Sequence, residues 1–210
     1  MISCDQLVSG NLDVQVGDIS VAKSGAKNAP VGLGPDLKPL RWVLAKTPSL
    51  TTPFVPSAFD GGDRVSLDLR AFGRVEEAMD MLDSLLMNFV IQHKDKYFKK
   101  PPTEAELEQY YTPLKKIASD PKYANTIRCK MTLGDRPSAK FWSPAGKEVN
   151  HKDIDWRKSE FAVQVRVKSM WFQSHKSFGG CLELEHLLVR QTDQSCPFDI
   201  EGDNPFNSGD

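Results

Sequence analysis

Across residues 161–172 apolar and polar positions alternate closely enough to define a β-strand. Phe161, Val163, Val165, Val167 and Trp171 share one phase, and Gln164, Arg166, Lys168, Met170 and Phe172 share the other. The first phase predicts a buried face, and the second a solvent face that is basic and ends in an aromatic. Similar alternations over residues 40–44, 65–71, 126–132, 139–142 and 181–190 predict further strands, punctuated by Gly134-Asp135 and Gly179-Gly180. Two shorter pieces, 12–16 and 19–22, precede a Gly/Pro/Lys-rich run over 23–39 that predicts a mobile loop, with Gly32 and Gly34 as its punctuation. Pro48, Pro53 and Pro56 keep their segment out of a helix and out of a central strand, so Phe54 and Phe59 are expected on an ordered crossing loop.

The period changes at residue 75. Val75, Met79, Leu82, Leu86, Phe89 and His93 recur every three or four positions, which predicts an amphipathic helix lasting to about residue 98, with His93 at its rim. Pro101 and Pro102 stop it. Thr103 and Glu106 then form a capping box, predicting a second helix with Leu107, Tyr110, Leu114 and Ile117 on its apolar side. A helical insertion over about 75–118 therefore divides a β-rich α+β chain, with strands before and after it. That order excludes a doubly wound fold and suits an oligonucleotide-binding (OB-like) β-barrel or a β-sandwich equally well. The predicted organisation is an N-terminal strand and loop segment over 1–39, the OB-like barrel over 40–191, and a disordered acidic tail over 192–210.

Charge changes this picture. The 210-residue chain has a formal net charge of -1, but residues 121–176 hold twelve Lys/Arg against five acids, while residues 191–210 hold Asp193, Asp199, Glu201, Asp203 and Asp210 with no Lys or Arg. Cys4, Cys129, Cys181 and Cys196 are scattered without a paired spacing and read as thiols in a reducing, intracellular compartment. No apolar run is long enough to span a bilayer, and the N-terminus MISCDQLVSG lacks a basic region followed by an apolar core, so neither membrane insertion nor export is expected.

Catalytic chemistry finds little foothold. His151, Asp153 and Asp155 lie in a polar connection that reads as a turn, and Glu183, Glu185 and His186 would converge only if a bulge interrupted their strand. The run Asp199, Glu201, Asp203 lacks the downstream glutamate of a calcium loop. Phosphate-loop, nucleophile-elbow and zincin patterns are absent from the sequence.

What remains is cations interleaved with aromatics on neighbouring strands: Arg128 and Lys130, then Lys140 and Trp142, then Arg166, Lys168 and Phe172. Such a face suits a groove where phosphates meet charge and bases meet aromatic rings.

The succession TPSLTTPFVPSAFD, DRVSLDLRA, EEAMDMLDSLL, YYTPLKKI, RCKM, AKFWSPAGKEV, FAVQVRVKSMWF and FGGCLELEHLLVRQ resembles the single-stranded-DNA-binding proteins of large nucleocytoplasmic DNA viruses and related phages. The resemblance spans most of residues 40–191. It implies an OB barrel that coats single-stranded DNA in replication, recombination or repair, binding through Lys130, Lys140, Trp142, Arg166, Lys168 and Phe172. It also implies an acidic tail that could dock replication proteins, although this tail ends in NSGD without a terminal aromatic. A non-enzymatic single-stranded-DNA-binding protein without cofactor or metal is the expectation, with homo-oligomerisation left open. The alternative is a structural or assembly protein, such as a minor virion component, whose basic barrel faces another protein. A third, more remote reading is a nuclease using Asp153, Asp155 and Lys158.

Overall fold

The computed structural model describes residues 2–22, 25–47, 49–58, 62–135, 137–173 and 177–192. Phe59, Cys196 and the acidic residues expected to form a tail lie outside them. A short helix α1 (Cys4–Val8) precedes β1 (Val14–Val16), β2 (Ser20–Val21), β3 (Lys27–Leu33), β4 (Lys38–Val43), β5 (Ser57–Ala58) and β6 (Arg64–Arg70). Helices α2 (Arg74–Gln92), α3 (Lys94–Tyr97) and α4 (Glu104–Tyr110) follow. Strands β7 (Tyr111–Thr112), β8 (Lys115–Lys116), β9 (Thr126–Thr132), β10 (Lys140–Trp142), β11 (Ser159–Phe172) and β12 (Phe178–Gln191) complete the described chain.

The strands form one mixed sheet in the order β1-β3-β4-β11-β12-β9-β6-β5. The long hairpin β11–β12 is its spine. Along one edge of β11 lie β4 and β3, and along the far edge of β12 lie β10, β9 and β7, all three parallel to it. No pairing among the described residues joins β1 to β5, so the described sheet is not closed. The run expected as a mobile loop contains β3, which pairs with β1, β2, β4 and β11 and buries Ala29 and Val31. Gly32 there is more than punctuation: a Cβ would stand 2.4 Å from the carbonyl carbon of Leu37, so the β3–β4 turn needs its absence.

The inner face of the sheet and the apolar side of α2 (Val75, Met79, Leu82, Leu86, Val90) enclose the core. Two aromatic groups close its ends. Tyr97, Phe98, Phe172 and Phe178 stack at one end, with Tyr97 and Phe172 5.2 Å apart, and Trp156 bridges Phe141 and Phe161 at the other.

The helical insertion is shorter than its periodicity predicts. Thr103 and Glu106 do form the capping box, but α4 ends at Tyr110, because Pro113 lacks an N–H and biases Thr112 to extended backbone. Leu114 is buried as expected, whereas Ile117 is 73% exposed. Asp83 of α2 pins the extended segment: its carboxylate accepts the Tyr111 hydroxyl and the Leu114 N–H. Burial pushes the Asp83 carboxyl up to about 6 from 3.8, against the pull of those bonds. A carboxyl raised in the folded state stabilises the fold fully below its unfolded value, and that contribution is lost as pH rises through about 6. Urea denaturation from pH 4 to 7 should show this decline, and Asp83→Asn should flatten it; a decline unchanged in the variant would place its origin elsewhere.

Candidate nucleic-acid interface

Strict alternation would carry Trp171 inward and Phe172 outward, but β11 is bulged. Val167 pairs with Leu182 and Ser169 with Cys181, leaving Lys168 without a partner residue on β12. One extra residue inverts every side chain that follows. Val163, Val165 and Val167 are buried before the bulge, and Met170 and Phe172 after it, at 0% and 6% exposure. Phe172 is thus a core residue stacked on Tyr97 and Phe178, contrary to the solvent-face expectation. Trp171 takes the outer face instead.

Two adjoining depressions of about 1350 and 830 Å³ make a groove across β6, β9, β12, β11 and β3. Asn28, Arg64, Lys130, Trp171 and Cys181 line both. Around them the groove gathers Lys27, Lys115, Lys116, Arg128, Arg166 and Lys168, against three carboxylates, Asp68, Asp80 and Glu183. The alternation of β6 and β9 explains why: Val65, Leu67, Leu69, Ile127, Cys129 and Met131 face the core, so Arg64, Ser66, Asp68, Arg128 and Lys130 face out.

Trp171 is held by glycine. Its cross-strand partner is Gly179, where a Cβ would come within 3.0 Å of the indole and 2.6 Å of the Thr112 carbonyl oxygen. Without that Cβ the ring settles over β12 and its Nε1–H donates to the Gly180 carbonyl at 3.2 Å. A half-buried ring anchored through its nitrogen in a basic groove is a platform on which a flat aromatic ligand can stack.

The cations differ in availability. Arg128 donates two bonds to Asp68, at 2.7 and 2.9 Å, and Lys115 is 2.7 Å from Asp80. Arg166 and Lys168 both bond Glu183, and Arg41 bonds Glu185 at 2.9 Å. Lys130 and Arg64 have no ion-pair partner among the described residues. Cys181 lies beneath them: burial pushes its thiol up, while Lys130, Arg64 and Lys168 pull it down.

Of the seven residues singled out in the sequence, the groove gathers Arg128, Lys130, Arg166 and Lys168 on its outer face, and the buried Phe172 borders its larger depression from beneath. Lys140 and Trp142 lie elsewhere, on β10 beside the distal half of β12. There the Trp142 Nε1–H donates to His186 Nδ1 at 3.2 Å, and the Lys140 ammonium sits 6.0 Å from the indole centroid. Trp171 and Arg64 were missed. Ser169 standing where an apolar residue was due, with Met170 apolar in the polar phase, is the sequence signal that the alternation changes there.

A second bulge meets the condition set for Glu183, Glu185 and His186. Gln164 pairs with His186 and Val165 with Leu184, so Glu185 is the extra residue and all three face outward. Their partners are a guanidinium, an amide and an indole: Glu185 accepts from Arg41 and Gln164, and His186 from Trp142. No three His, Cys, Asp or Glu side chains converge among the described residues in a way that could hold a metal ion. Asp155 lies 3.9 Å from Lys158, and Asp153 offers its carbonyl to Gln191. Among the described helices none is long and apolar enough to cross a membrane.

No family model matches the chain, and no curated protein matches it. Among solved structures it is similar to a single-stranded DNA-binding protein from bacteriophage Enc34 in complex with ssDNA, at 16% identity, covering 88% of this chain and 97% of that one, with a TM-score of 0.41. It is also similar to gp2.5, a single-stranded DNA-binding protein encoded by bacteriophage T7, at 13% identity, covering 78% of this chain and 98% of that one, with a TM-score of 0.46.

Proposed function

We propose that this chain is a non-enzymatic protein that binds single-stranded DNA without sequence preference, using the outer face of its sheet as an OB-like platform. The observation that carries the reading is the placement of Trp171 in a groove with eight Lys/Arg and three carboxylates. Phosphates would release counterions at Lys130 and Arg64, and a base would stack on Trp171. Lys140 and Trp142 would serve as a separate contact at the distal end of β12. A role in replication or repair, a viral origin and an intracellular setting belong to the same reading, as does docking of replication proteins by the acidic tail.

Anisotropy of labelled oligo-dT tests it. Binding should weaken with salt along a log–log slope of about -0.7 per phosphate contacted, and Lys130→Ala should reduce that slope by about 0.7. Absence of binding, or binding without salt dependence, would overturn the reading and leave a protein-facing assembly role, and preference for duplex would overturn its single-strand selectivity. Loss of intact oligonucleotide in magnesium would point to a nuclease instead.

A further inference from the structure

Four of the groove's cations are occupied from within: Arg128 by Asp68, Lys115 by Asp80, and two more by a single carboxylate. Lys168, the bulged residue of β11, and Arg166 both bond the Glu183 carboxylate, which itself lines the groove. Glu183 is anchored on the neighbouring strand, its side chain 16% exposed, while those of Arg166 and Lys168 are 32% and 47% exposed. Burial disfavours its charge, yet the bonds from Lys168 and Arg166 prevail and hold the carboxyl below its usual range. Glu185, one alternation further along, engages Arg166 at 3.7 Å and Arg41 at 2.9 Å. The sheet therefore carries a row of three cations clasped by two carboxylates, one of which faces the groove.

Resting on the single-strand reading above, we propose that Glu183 is an internal competitor for phosphate: it occupies the position between Lys168 and Arg166 that a backbone phosphate of the bound strand would take. A carboxylate and a phosphate oxygen present the same acceptor chemistry to these donors. Because Glu183 is tethered to the adjacent strand, it competes at high effective concentration at no entropic cost of association. The groove thus has two grades of cation. Lys130 and Arg64 are offered at once, whereas Glu183 stays on Arg166 and Lys168 and keeps them from the strand, which limits affinity. Lys168, the most exposed member at 47%, contributes little to folding through this pair, whereas Glu183 and Arg166 are more buried, so thermal melting accompanies each variant.

The test uses the full chain with oligo-dT. Glu183→Gln should tighten binding about threefold to tenfold in dilute buffer and steepen the salt slope by about 0.7, one additional phosphate contact. Glu185→Gln, outside the groove, should change binding less. Lys168→Met should barely alter the slope in the unmodified protein but remove the gained 0.7 in the Glu183→Gln background. Unchanged or weaker binding by a folded Glu183→Gln protein would overturn the proposal. So would an equal slope change from Lys168→Met in both backgrounds, since Lys168 would then be touching phosphate while still paired. If Glu183→Gln does not fold, Lys168→Met in the unmodified protein decides alone: a slope reduced by 0.7 overturns the clasp, an unchanged slope supports it. Failure of the unmodified protein and every variant to bind oligo-dT would instead sink the single-strand reading, and this proposal with it.

Discussion

Replacing Trp171 by alanine should weaken oligo-dT binding by about 1–3 kcal/mol, the range found when a base loses its aromatic platform, while the protein remains folded. The expectation rests on position. The indole lines both halves of the groove, its nitrogen already bonded to the Gly180 carbonyl, so a bound base meets a ring with little orientational freedom left to lose. Titration and thermal melting of one Trp171→Ala preparation check it. Full affinity in the variant would remove stacking at this site and leave binding to charge alone.

The adjacent residue should behave in the opposite way. Phe172 is 6% exposed, stacks on Tyr97 at 5.2 Å and on Phe178 at 5.8 Å, and closes one end of the core. Phe172→Ala should therefore cost about 3–5 kcal/mol of stability, combining lost burial with the cavity left behind. Urea denaturation measures this directly, and the fraction still folded should bind oligo-dT nearly as the unmodified protein does. The pair of variants tests the bulge at Lys168 itself. If Phe172→Ala lost binding and Trp171→Ala lost stability, the strand would be running in unbroken alternation and the register of β11 against β12 would be different.

Trp142 is the intermediate case. Its ring is tied to His186 and approached by Lys140, but the groove does not extend to it. Charge and an aromatic on one strand therefore did not suffice to place β10 beside β9. The reason lies in pairing: β10 runs along His186–Leu188 of β12, whereas β9 meets β12 at Leu182 and Glu183. Strand neighbours that look equivalent in sequence are separated along the length of one long partner.

Residue pattern alone determined most of the elements, because burial imposes its period locally. The alternation over 126–132 coincides with β9, that over 65–71 with β6 to within a residue, and the i, i+3, i+4 recurrence from Val75 with α2. The capping box at Thr103 and Glu106 was legible for the same reason, since its partners lie three residues apart. The inward and outward rows of β6 and β9 were equally readable, and with them Arg128 and Lys130. Only the tertiary structure decided the remainder. Whether the sheet closes depends on which edges meet, and no local period encodes that; here β1 and β5 are left as the two ends. The extension of α4 past Tyr110 was overruled by Pro113 and by Asp83, a residue 28 positions from its partner Tyr111. Above all, the face presented by Trp171 and Phe172 depended on one unpaired residue, Lys168. A bulge is a property of two strands in register, so a count along β11 alone could not locate it, and its effect was to bury Phe172 in the core and bring Trp171 to the outer face.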